Sequence, residues 1–106
     1  MKQFMNAKES LVTEAIDGTL RTAGGRLARL DGYPHIKVVV RTDWDKSKVA
    51  LVSGGGSGHE PSHAGFVGQG MLTAAVCGEV FASPSVDAVL AGILAVTGVA
   101  GCLLIV

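Results

Sequence analysis

Hydrophobic and polar positions follow different rhythms in different parts of the chain. Leu11, Val12, Ala15, Ile16 and Leu20 recur at helical spacing, which predicts an amphipathic helix over about 7–22. Asn6 followed three residues later by Glu9 reads as a capping box at its start, and Gly24-Gly25 as its stop. Residues 26–35 carry no period and read as loop, with room for one short helical turn. IKVVVRT at 36–42 is β-branched and reads as a strand, closed by a polar turn at 42–46.

A short apolar run at 49–52 then opens into Ser53-Gly54-Gly55-Gly56-Ser57-Gly58-His59-Glu60-Pro61. Pro61 suits a first helical turn, so a helix is expected from 61 to about 68. Another buried strand lies within 72–81. Ser83-Pro84-Ser85 precedes a helix whose apolar stripe is Val86, Val89, Leu90, Ile93 and Leu94, and GCLLIV at 101–106 reads as a strand covered on both faces. This succession predicts an α/β fold, a partial parallel or mixed sheet with flanking helices. A chain that stops on a bare apolar strand reads as an incomplete piece of a larger α/β domain. Its open edge predicts self-association into a homo-oligomer.

Composition narrows the function. The 106 residues make at most one folded unit, and 48% apolar content supplies a core. Nine basic residues balance nine acidic ones, which argues against a global grip on nucleic acid. Every Lys and Arg lies at or before Lys48; after it stand only Glu60, Glu79 and Asp87. The uncharged stretch 88–106 has nearly the length of a membrane span. It is broken by Gly92, Gly98 and Gly101 and lacks flanking cations, so it reads as a buried helix followed by a buried strand. No secretory leader is read at the N-terminus. Cys77 and Cys102 match no metal spacing and read as two buried thiols in a reducing cytoplasm.

The glycine segment carries the chemistry. Gly54, Gly55, Gly56 and Gly58 stand between a strand and an expected helix, where a ligand can lie against bare backbone N–H groups. The plain alternative is a tight connection. A P-loop requires Lys after its second glycine, but Gly58 is followed by His59; the dinucleotide fingerprint would require glycine at 59. Without a cation after Lys48, a small neutral hydroxylated ligand suits the loop better than a run of phosphates. His59, Glu60 and His63 spell H-E-x-x-H, a zinc-site pattern, yet Pro61 breaks the helix that pattern needs. His63 reads as a helix-face residue with a satisfied hydrogen bond, and His35 as a loop residue. His59, at the loop rim, is placed to take a proton from a substrate hydroxyl. Glu60 either holds that ring or caps the helix.

These residues, with His63, Gly65, Gly68-x-Gly70-Met71-Leu72 and Cys77-Gly78-Glu79-Val80-Phe81-Ala82-Ser83-Pro84, resemble the start of the dihydroxyacetone (glycerone) kinase substrate-binding domain. The resemblance extends across residues 1–106. Ile16-Asp17-Gly18-Thr19 and 43–48 are most similar to the ATP-dependent two-domain kinases. It implies phosphorylation of a terminal hydroxyl of dihydroxyacetone or a related short sugar. Gly56, Ser57, Gly58 and His59 would contact substrate, with His59 catalytic. It places ATP and magnesium on a separate nucleotide-binding domain or subunit, so this chain itself is expected to hold no cofactor; other members take phosphate from a phosphotransferase protein. It also places a Lys, an Asp and a hemiaminal-forming histidine beyond position 106, so the chain by itself is expected to be inactive. The alternative is a non-catalytic dihydroxyacetone-binding regulatory paralogue.

Overall fold

Alternation along two neighbouring strands decides the layering of the computed structural model, which describes residues 4–30, 32 and 35–106. Strands β2 (Lys37–Arg41) and β4 (Ala74–Val80) send successive side chains to opposite faces. Val39, Ala75 and Cys77 meet Val12 and Ile16 of helix α1 (Leu11–Thr22) on one face. Val38, Ala74 and Val76 meet Ala88 and Val96 of helix α2 (Val86–Val96) on the other. A single sheet thus lies between two helices, with a separate core against each.

The sheet is mixed. With β1 (Leu27–Arg29), β3 (Ala50–Ser57) and β5 (Cys102–Ile105), its order is β1-β2-β4-β3-β5. The pairs β1/β2 and β2/β4 are antiparallel, whereas β3 runs parallel to both β4 and β5. The α/β class expected from the pattern is the one observed.

Several boundaries differ from expectation, each for a local reason. Residues 27–29 form a strand rather than loop, because Leu27, Ala28 and Arg29 pair with Arg41, Val40 and Val39; three residues are too few to show alternation. The capping box at Asn6 is absent: Lys8–Ser10 makes a 3₁₀ turn, and Ser10 caps α1 without a side-chain bond. The glycines at 54–56 belong to strand β3, not to a loop after it. A Cβ at Gly54 would run into the backbone carbonyl of Val76, so the absence of a side chain lets β3 and β4 lie close. The helix expected at 61–68 reduces to a 3₁₀ turn at Ala64–Phe66. Pro61, Gly65 and Gly68 leave too few helix-favouring residues, and Val67 is drawn into a bridge with Leu72.

The uncharged stretch divides between α2 and β5, and among the described residues no helix is long and apolar enough to cross a membrane. Its strand is not covered on both faces. Leu103, Leu104 and Ile105 are 56%, 46% and 49% exposed, because β5 is an outer strand beside β3. Leu90 and Leu94 of α2 are likewise exposed. The readings at positions 1–3, 31, 33 and 34 lie outside the described residues.

Candidate functional site

The site grows from the ends of the parallel pair β3/β4. Ser57 Oγ donates to the Gly78 carbonyl at 2.8 Å, tying the two strands together where their register shifts. Beyond β4 the chain turns at Phe81, whose N–H donates to the Ser57 carbonyl at 2.7 Å. This turn lies on the glycines: a Cβ on Gly56 would stand 2.8 Å from Ala82 N, and one on Gly58 2.8 Å from Phe81 Cε1. Gly58 also has φ +103°, a conformation glycine adopts freely and side-chain-bearing residues resist.

His59 follows at once and is exposed to solvent. Its ring rests against that of Phe81, with centroids 4.8 Å apart and planes inclined by 49°. Glu60 takes neither role left open for it. Its carboxylate folds back to accept the Gly58 N–H at 3.2 and 3.3 Å, bracing the turn that carries His59.

A half-open cavity of about 530 Å³ runs between α1 and the glycine segment. Gly56, Ser57 and Gly58 line it, with Leu11, Ala15 and Thr19 opposite and His63 and Cys77 on its wall. His59 stands outside this lining, beyond the Gly58 turn, so the structure groups the three other expected site residues in the cavity and leaves His59 on the outer rim. His63 is not on a helix. It is half-buried in the turn, with Nδ1 3.3 Å from Ser53 Oγ and Nε2 above Gly55. His35 is exposed in a turn, as expected of a loop residue.

Zinc-type geometry does not arise from His59, Glu60 and His63, which face Phe81, the Gly58 N–H and Ser53 respectively. Among the described residues no three His, Cys, Asp or Glu side chains gather to hold a metal ion. Cys77 is buried, and burial, reinforced by the Glu60 carboxylate, pushes its thiol up to about 11. A thiol so poorly ionised is a weak nucleophile. Both cysteines are free, and Cys102 is half-buried rather than buried. Two site residues escape sequence reasoning, Phe81 and Ser53. Phe81 reads as the end of a strand within the resembling segment and not as a site residue, and a left-handed backbone leaves no mark in the hydrophobic pattern.

Comparison with known proteins identifies the family. The Dak1 domain model matches residues 18–106, and the chain belongs to the Dak1 domain family. It is 62% identical over 104 residues to the dihydroxyacetone kinase of Citrobacter freundii, covering 97% of this chain and 19% of that protein. The crystal structure of the C. freundii kinase in complex with AMP-PNP and Mg²⁺ superposes with a TM-score of 0.93 at 61% identity, over 99% of this chain and 20% of that one. A dihydroxyacetone kinase operon co-activator superposes with a TM-score of 0.79 at 36% identity, over 86% of this chain and 27% of the co-activator. The chain therefore spans about a fifth of the length of the kinase it matches.

Proposed function

We propose that this chain is the dihydroxyacetone-contacting segment of a kinase that phosphorylates a terminal hydroxyl of dihydroxyacetone or a related short sugar. The observation that carries the reading is the exposed His59 imidazole directly after a glycine segment open to a cavity, in a chain 62% identical to a dihydroxyacetone kinase. Gly56, Ser57 and Gly58 line the cavity, where a small polar molecule can lie against their main chain. His59 accepts the proton of the terminal hydroxyl, the oxygen that takes the phosphoryl group. A base so placed contributes on the order of 10²–10⁴ in rate.

The phosphate donor is ATP with magnesium, the pair represented in the C. freundii complex by AMP-PNP and Mg²⁺. The residues present do not fit that group: no cation follows Lys48, and no ligating cluster occurs among the described residues. The donor is accordingly assigned to a partner domain or subunit.

Two measurements test the reading. Dihydroxyacetone added to the labelled chain should shift the amide signals of Gly56–His59; unmoved signals at saturating sugar overturn it. With this chain grafted in place of the matching fifth of the C. freundii kinase, His59→Gln should lower kcat by about 10²-fold or more. A second reading, a non-catalytic dihydroxyacetone-binding regulator, is favoured by the likeness to the co-activator. A graft that binds dihydroxyacetone but shows no turnover with His59 intact would select it.

A further inference from the structure

Phe81 is an unusual residue in an unusual conformation. Its φ is +53°, a left-handed value that a bulky side chain adopts only under strain, at a cost in stability. The side chain recovers little of that cost by burial, since Phe81 is 71% exposed. Backbone bonds hold it there: its N–H on the Ser57 carbonyl at 2.7 Å and the neighbouring Ala82 N–H on the Glu79 carbonyl at 3.0 Å. What the conformation achieves is the placement of the ring. It occupies the space above Gly58, where a Cβ would touch Cε1, and lies 4.8 Å from the His59 ring.

His59 needs such a support. An exposed histidine samples several rotamers, whereas proton abstraction requires one nitrogen held within hydrogen-bond reach of the hydroxyl. In many sites a carboxylate orients the imidazole; here Glu60 is engaged with the Gly58 N–H. The aromatic ring is in position to perform the same task through tilted ring packing, a geometry favourable for aromatic pairs.

We infer that Phe81 is a positioning residue that fixes the His59 imidazole over the glycine turn, an assignment that rests on the reading of His59 as the base. It touches the reaction only through His59. The strained strand-to-helix turn is the device that presents it, fastened to the same Ser57 whose neighbours form the cavity wall.

The test begins with the chain itself. Nuclear Overhauser contacts between the His59 and Phe81 ring protons are expected, and their absence overturns the inference even if every variant fails to fold. In Phe81→Leu the His59 ring protons should lose their ring-current displacement and show rotamer-averaged couplings, while amide signals of the sheet stay in place. Phe81→Tyr should restore both features; His59 signals indifferent to Phe81→Leu, or unrestored by Phe81→Tyr, overturn the assignment. In the graft, Phe81→Leu should lower kcat about tenfold with KM changed less than about threefold, and a change confined to KM counts against positioning. His59→Gln in the same graft separates the two ideas. If it is fully active while the Phe81→Leu ring signals still move, the base reading falls and the ring contact stands.

Discussion

Ser53 and His63 meet across the start of the glycine segment, with Oγ and Nδ1 3.3 Å apart. Ser53 Oγ also lies 2.8 Å from the Ile105 carbonyl, which can only accept. The single hydroxyl proton is therefore spent on Ile105, and Nδ1 must donate to the remaining lone pair. A neutral His63 then carries its lone pair on Nε2, above Gly55. Nitrogen-15 correlation spectra should show the Nδ1–H tautomer in the wild type. Ser53→Ala should release it to a mixture and cost about 1 kcal/mol in urea denaturation, since the orphaned carbonyl sits on a half-exposed strand and can turn to water.

Gly58→Ala tests the turn itself. Two penalties compete: the backbone at φ +103°, costing about 1–3 kcal/mol in a residue with Cβ, and the 2.8 Å approach to Phe81 Cε1. The exposed ring can swing aside, so the backbone term dominates stability and the ring movement dominates function. Calorimetry should show Tm lowered by roughly 4–8 °C per kcal/mol lost. Dihydroxyacetone should no longer shift the His59 amide.

Cys77 makes stability depend on alkaline pH. Its thiol is raised to about 11 in the fold by burial first and the Glu60 carboxylate second, against an ordinary value of 9.0. A raised value means that the fold favours the protonated form, so its stabilising contribution is complete below pH 9 and disappears as pH climbs to 11. The contribution lost is at most about 3 kcal/mol. Cys77→Ala should flatten the stability profile between pH 9 and 11, while a slope identical to wild type would contradict the assignment.

Gly92 in α2 decides a contest between propensity and packing. Alanine would gain about 1 kcal/mol of helix propensity. Its Cβ, however, would stand 2.7 Å from Val76 Cγ2 and 3.5 Å from Val38 Cγ1 in the core, and overpacking of this kind costs about 1–3 kcal/mol. Gly92→Ala alone should destabilise. Combined with Val76→Ala, it should destabilise less than the sum of the two single changes in a double-mutant cycle.

Sequence reading reached the elements whose pattern is long or strongly β-branched: α1, β2, β4, α2 and the strand at β5. It assigned Gly56, Ser57 and Gly58 to substrate contact, and the structure brings these three residues to line one cavity. It failed where tertiary contacts override local preference. Glycine disfavours strands, so nothing in the composition of 54–56 marks it as β3; only the approach of Val76 shows why glycine is needed there. Leu27–Arg29 becomes a strand through its pairing with β2. Glu60, read as a partner for the imidazole or a helix cap, instead bonds a backbone N–H two residues before it.

Because β3 and β4 run alongside each other in one direction, with Ser57 level with Val80, the two turns that leave them are spaced by count as much as by chemistry. Deleting or adding a single residue at 74–75 would invert the facing of the rest of the strand. It would trade Val76 and Cys77 between the two cores and swing the aromatic side chain to the wrong side. Substitutions along β4 can be absorbed one at a time; changes in its length cannot, and natural variants of this segment should differ in letters while keeping an invariant spacing from Thr73 to Pro84.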